Sequence, residues 1–177
     1  MTKRVRKNGL YKRYFDNGKQ LSEENYNDGM LEGNWTYWYE NGQVKLKGNF
    51  KPYEVLPNDE RWERSSRYVF PARDSKHGKW TEWYENGQKK LEQNYECGRV
   101  IGKWTSWYEN GNKKQTGQFI NDLKSGMMSY WYDTGTIWMR ENYKMGKKHG
   151  TMTGWYKNGQ KSIEQNWNNN KKNGHHV

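Results

Sequence analysis

A chain of 177 residues with one cysteine, Cys97, and three prolines, Pro52, Pro57 and Pro71, is short of both. A lone cysteine excludes a disulfide framework and a cysteine-based zinc cluster, and it fits a reducing compartment. Aliphatic residues are scarce as well. Leu, Ile, Val and Phe together make about 12% of the chain, a level that ordinarily accompanies disorder when the net charge is as high as +11. No apolar run approaches the roughly 18 residues of a transmembrane helix. The basic start, Met1 to Lys7, is followed by no apolar stretch, so a secretory signal is not expected and a cytoplasmic location is.

What is abundant is aromatic: 11 Trp and 14 Tyr. Each buries a large area, so a thin aromatic core is within reach. The aromatics recur with a period. Gly78-Lys-Trp-Thr-Glu-Trp-Tyr-Glu-Asn-Gly87, Gly102-Lys-Trp-Thr-Ser-Trp-Tyr-Glu-Asn-Gly111 and Gly126-Met-Met-Ser-Tyr-Trp-Tyr-Asp-Thr-Gly135 are copies of one unit whose first glycines stand 24 residues apart. Gly9, Gly33 and Gly150 start three more copies, giving six. A fixed period of this length marks a stacked array in which each unit needs its neighbours to bury its apolar face. The organisation expected is a basic segment over 1–8, repeats 1 and 2 over 9–50, an insertion over 51–77, repeats 3 to 6 over 78–173, and a truncated tail over 174–177.

With the first glycine of a unit counted as offset 0, an aromatic run at offsets 2 to 6 meets Glu-Asn-Gly or a relative of it at offsets 7 to 9. Asn-Gly between β-rich runs predicts a two-residue type I′ hairpin turn; in the fifth copy Thr134, a β-branched residue ill suited to positive φ, replaces Asn. A second turn near offset 20 carries Gly29, Gly98 and Gly146, with Asp122 or Asn170 elsewhere. The fold class expected is therefore all-β: an elongated, single-layer antiparallel array of six hairpins, about twelve strands and roughly 55 Å long. Charges and amides at both ends, from Lys3 to Lys7 and from Asn168 to Asn173, look like protection of the edge strands.

A two-residue turn pairs offset 5 with 12, 4 with 13 and 2 with 15, and alternation then sorts the faces. One face, expected to be buried, collects Trp35, Tyr39, Leu46, Phe50, Trp80, Tyr84, Leu91, Tyr95, Met128, Tyr132, Met139, Tyr143, Met152, Tyr156, Ile163 and Trp167. The other carries a column of Tyr14, Trp38, Trp83, Trp107, Trp131 and Trp155, with Lys45, Lys90 and Lys114 opposite it and Trp138 opposite Trp131. Flat aromatics beside cations suit protein hot spots and single-stranded nucleic-acid platforms alike. Cross-strand packing of each Lys stem on its Trp is the structural alternative.

The unit G-x-W-x-x-W-Y-E-N-G-x-x-K, intact in its core at Trp38 to Gly42, Trp83 to Gly87 and Trp107 to Gly111, resembles the bacterial variant of the MORN repeat, found in antitoxin-like proteins of the YwqK type. The resemblance spans Gly9 to Asn173 apart from the insertion. It implies a non-enzymatic binder or scaffold, with protein partners, phospholipid surfaces and toxin neutralisation among the roles of such proteins.

Nothing in the residues opposes that. The four histidines, His77, His149, His175 and His176, have no second ligand at metal-binding spacing. Cys97 has no partner to activate it, and the glycines sit at turns rather than in a phosphate cradle. No catalytic residue, metal, cofactor or small-molecule substrate is expected. The insertion gathers all three prolines with Arg61, Trp62, Arg64, Arg67 and Tyr68, where a short helix over Asp59 to Arg64 and a strand over Arg67 to Phe70 are expected. Trp, Tyr and Arg anchor interfaces. Charge is concentrated late: residues 102–177 carry +7 of the +11, which suits an acidic protein, nucleic acid or an anionic membrane. The function expected is occlusion of a protein partner, as an antitoxin, immunity factor or inhibitor of an effector, through Arg61, Trp62, Arg64, Arg67 and Tyr68 of the insertion and through Trp83, Lys90, Trp107, Lys114, Trp131 and Trp155. Single-stranded nucleic acid is the alternative ligand, and an anionic membrane a third.

Overall fold

The computed structural model describes residues 6–51 and 76–173. Among them fourteen strands join in one open antiparallel sheet with no helix. Each repeat is a hairpin: β1 (Gly9–Tyr14) with β2 (Gln20–Asn27), β3 (Met30–Trp38) with β4 (Val44–Phe50), and β5 (Lys76–Trp83) with β6 (Lys89–Glu96). Next come β7 (Arg99–Trp107) with β8 (Lys113–Ile120) and β9 (Leu123–Trp131) with β10 (Ile137–Lys144). In the sixth, β11 (Lys147–Lys148) and β12 (Gly150–Trp155) precede β13 (Lys161–Asn168), and β14 (Lys171–Asn173) lies against β13. Spatial order follows chain order, with β11 and β12 both on β10. Two more strands than expected arise because β11 and β12 break at His149 and β14 begins another unit.

The array is continuous where the insertion interrupts the sequence. Leu46 pairs with Glu82 and Phe50 with Lys76, so repeats 2 and 3 are neighbours like any others. Lys76 and His77 belong to β5, so the strand starts two residues earlier than the repeat glycine suggested, and His77 is half-buried in it. The helix and strand expected near Asp59 and Phe70 lie outside the described residues.

The Asn-Gly turn is not the two-residue type I′ turn expected. At the Asn-Gly end, Tyr108 donates its N–H to the Asn112 carbonyl at 2.8 Å and accepts from the Gly111 N–H at 2.9 Å. The loop is thus three residues, Glu109-Asn110-Gly111, and only Gly111 has positive φ, 85°. This is a type I turn closed by a left-handed glycine, the next commonest hairpin solution. Thr134 is accommodated at the Asn position because no positive φ is asked of it. The type I′ turns lie at the opposite end, where Asp28 and Gly29 have φ of 48° and 83°, and Asn121 and Asp122 of 47° and 67°.

The three-residue loop shifts the nearby register. Ser106 pairs with Gln115 and Trp104 with Gly117 as expected, but Trp107 pairs with Lys113. The residue at offset 12, Lys114, is the extra member of a β-bulge, and the other hairpins repeat the irregularity. Bulges bend a strand and increase its twist, which lets side chains on one face of a single sheet close over one another.

The core lies on the expected face. Trp80 is 2% exposed and Met128 1%, with Phe50, Tyr130 and Met152 also buried. Trp35, Phe50 and Trp80 form a cluster with centroids 5.0 to 5.6 Å apart. Glycine in the opposing strand makes the room: a Cβ on Gly48 would overlap the Trp80 indole, and one on Gly117 the Met128 sulfur. Two residues expected in the core are not there. Tyr156 is 57% exposed and Ile163 39%, both in the last hairpin, which lacks a full neighbour on one side.

Candidate functional site

Trp38, Trp83, Trp107, Trp131 and Trp155 are the final residues of β3, β5, β7, β9 and β12, and all five are half-buried. Alternation places them opposite the core face. The backbone of the last four is held from the preceding repeat. Tyr39 donates its hydroxyl to the Trp83 carbonyl at 2.9 Å, Tyr84 to that of Trp107 at 2.9 Å, Tyr108 to that of Trp131 at 2.8 Å, and Tyr132 to that of Trp155 at 3.0 Å. Burial first, then the carboxylates of neighbouring turns, holds the phenols of Tyr39 and Tyr84 above the usual tyrosine range, so they remain donors.

A second ladder runs through the turns. Asn41 donates to the Glu85 carbonyl at 2.9 Å, Asn86 to that of Glu109 at 2.9 Å and Asn110 to that of Asp133 at 2.8 Å. Each of these asparagines also accepts the N–H two residues on. Repeats 2 to 4 are thus each tied twice to the next and repeat 5 once, where Thr134 replaces the asparagine, which holds the indoles at the spacing of every second strand, roughly 10 Å.

The lysines expected beside the tryptophans are elsewhere. The bulge turns offset 12 to the core side, where Lys45 lies over Tyr39 at 5.2 Å, Lys90 over Tyr84 at 5.9 Å and Lys114 over Tyr108 at 5.4 Å. Trp138 likewise packs on Tyr130 and Tyr132 rather than opposite Trp131, which pairs with Ile137. The cations on the Trp face come from other offsets. Lys89 sits 5.7 Å from the Trp107 ring and Arg140 5.7 Å from that of Trp155. Lys89 and Lys79 each lie 2.9 Å from Glu92. Burial works against ionisation of Glu92, but hydrogen bonds from the two lysines outweigh it and hold the carboxyl below its usual range.

Two carboxylates that sequence reasoning passed over are buried on the core face. Glu141, 5% exposed, takes hydrogen bonds from Lys148 at 2.5 Å and Tyr143 at 2.9 Å. Glu24, also 5% exposed, receives Arg13 and, at 2.8 Å, Tyr26. Burial opposes their charge, yet these donors hold both below the ordinary glutamate value. The cost falls on the phenols: burial and the adjacent carboxylate push Tyr26 and Tyr130 up to about 12. A signal was available, since Glu or Gln stands two residues before Tyr26, Tyr95 and Tyr143, whereas Gly precedes Phe50 and Phe119 at the same spacing. These clusters are fully satisfied and inward, which makes them structural.

Of the sequence-derived residues, Trp83, Trp107, Trp131 and Trp155 are brought into one row, while Lys90 and Lys114 are separated from it. Arg61, Trp62, Arg64, Arg67 and Tyr68 lie outside the described residues. Among the described residues no three His, Cys, Asp or Glu side chains gather to hold a metal ion, and no helix is long and apolar enough to cross a membrane.

A family model described as the MORN repeat variant matches residues 7–28, 31–51, 76–96, 101–121 and 148–169, more than half of the chain. The hairpin of β9 and β10 falls outside these matches but keeps the same turn, bulge and tyrosine bond. No curated protein matches the chain.

Proposed function

Given that this chain belongs to the MORN repeat variant family, we propose that it is a non-catalytic repeat protein that binds another protein and occludes it, as an antitoxin, immunity factor or inhibitor of an effector. Proteins of MORN repeats are generally not enzymes, and the likeness to bacterial antitoxin-like proteins of the YwqK type belongs to this proposal.

The observation that carries it is the row from Trp83 to Trp155. Half-buried indoles, clamped through their own carbonyls by Tyr39, Tyr84, Tyr108 and Tyr132, form a surface whose ordering cost is met in folding. Preorganised aromatic anchors favour tight association. Single-stranded nucleic acid would use the same stacking faces but also needs cations along them. The bulge removes Lys90 and Lys114 from that face, and Glu92 neutralises part of what remains. Protein is therefore the favoured ligand.

Affinity capture with the full chain from its native lysate, with and without nuclease, tests the reading. A stoichiometric protein retained after nuclease is expected; recovery of nucleic acid alone, or of nothing, overturns it.

A further inference from the structure

At the margin opposite the Asn-Gly turns, one pair of neighbouring type I′ turns differs from the rest. Ile120 is 44% exposed, Leu123 41% and Met145 56%. Ile120 and Leu123 face each other across the turn at Asn121 and Asp122. Leu123 leans on the next turn, its Cδ2 lying 3.2 Å from where a Cβ on Gly146 would stand, beside Met145. The two turns therefore touch through Leu123 and Gly146, and the three exposed apolar residues belong to this adjoining pair. Equivalent positions in the sixth repeat are Asn168, Asn169 and Lys171, so the repeat itself does not ask for apolar residues here.

Met145 also occupies a strained conformation. Its φ is 48°, where the corresponding turns place Asp28, Cys97, Asn121 and Asn169. Left-handed geometry costs a side chain of this kind about 1 kcal/mol.

Polar groups ring the trio. Lys144 and Lys147 flank Met145, and Arg99 stands on the preceding turn, none of the three ion-paired among the described residues. Glu96 stands opposite Arg99, and Asp122, whose carboxylate accepts the Val100 N–H at 2.7 Å, lies in the turn between Ile120 and Leu123. An exposed apolar cluster with a polar rim marks a protein contact, and methionine adapts to varied partners. The two carboxylates would meet a uniformly anionic lipid or phosphate surface with like charge. A folded or extended protein segment can place charges selectively.

Ile120 and Leu123 also point to the Trp face, because Phe119 and Lys124, their strand neighbours, point to the core side. From Leu123 to Trp131 along β9 is eight residues, about 26 Å. A partner lying across repeats 4 and 5 would touch Trp107 and Trp131 at one margin and the apolar trio at the other.

We propose that the adjoining turns of repeats 4 and 5 form a second docking margin, through Ile120, Leu123 and Met145, for a protein segment that combines apolar side chains with net negative charge. The inference rests on the protein-binding reading above and adds the place and the chemistry of the contact.

The test uses the full chain carrying a benzoylphenylalanine photo-cross-linker, in one sample at Leu123 and in another at Lys103 on the Trp face. Each is irradiated in native lysate, and any cross-linked segment is sequenced, synthesised as a peptide and titrated against wild type and the triple variant Ile120→Asn, Leu123→Lys, Met145→Asn. These substitutions install what the sixth repeat carries, so the fold is expected to persist with an unchanged or raised Tm. The expected result is an acidic, apolar peptide from Leu123 whose affinity falls at least tenfold in the triple variant. A partner cross-linked from Lys103 but not from Leu123, a basic peptide, or equal affinity for both proteins overturns the docking margin and leaves protein binding standing. Cross-links from neither position, with binding to phosphatidylserine vesicles or to nucleic acid alone, overturn both.

Discussion

The hydroxyl of Tyr108 donates to the backbone carbonyl of Trp131, 23 residues on, at 2.8 Å. It fastens the end of one hairpin to the end of the next. Three further tyrosines make the same bond, and the series stops at the first repeat, where the residue is Phe15. Tyr108→Phe is expected to destabilise the protein by about 1 kcal/mol, the usual net worth of one hydrogen bond. Phe15→Tyr supplies the missing hydroxyl opposite Trp38 and is expected to gain a comparable or smaller amount. Urea denaturation of the two variants checks both signs.

Space at offset 15 separates two glycines of the core. Gly48→Ala sets a methyl against the rigid Trp80 indole, and Gly117→Ala sets one against the flexible end of Met128. Overpacking costs about 1–3 kcal/mol. Gly48→Ala is expected near the upper end and Gly117→Ala near the lower, since methionine repacks more readily. Thermal unfolding of the pair decides the order.

The pH dependence of stability follows from Glu141. Its carboxyl is held below the unfolded glutamate value of about 4.3, so its contribution is present above that pH and is lost as pH falls through the folded value. Glu141→Gln removes this group from the titration. Wild type is therefore expected to lose more stability than the variant between about pH 5 and pH 2, as followed by denaturant melts across the range. Lys148→Met leaves the carboxylate buried without its cation and is expected to cost about 2–3 kcal/mol at pH 7, below the figure for a fully buried pair because Lys148 is one-third exposed.

Cys97 has φ of 50° at an exposed type I′ turn. Asparagine accepts that geometry more readily. Cys97→Asn is expected to stabilise the protein by about 0.5–1 kcal/mol, measured as a shift in urea midpoint.

Much of this fold was legible in the sequence because the repeat averages over accidents. The six glycine-led units, the pairing of Trp104 with Gly117 and the inward face of Trp80 and Met128 all follow from period and alternation. What was not legible depends on one residue of loop length. Asn-Gly serves both the two-residue type I′ turn and the three-residue loop with a bulge, and the local motif does not separate them. That difference moved Lys90, Lys114 and Trp138 to the other face. Thr134 was the available hint, since a β-branched residue is ill suited to positive φ. The ion pairs of Glu24 and Glu141 were not legible for another reason: the cations Arg13 and Lys148 sit at unrelated offsets, so no repeat pattern announces those pairings.

The central claim is that the tryptophan row is a binding surface for protein. Hydroxyl-radical footprinting of the full chain, free and with the protein it captures, reads each indole directly by mass spectrometry. The expected result is protection of Trp83, Trp107, Trp131 and Trp155 in the complex, with exposed Tyr156 at the hairpin end unchanged. Equal oxidation of the four tryptophans in both states would contradict the claim.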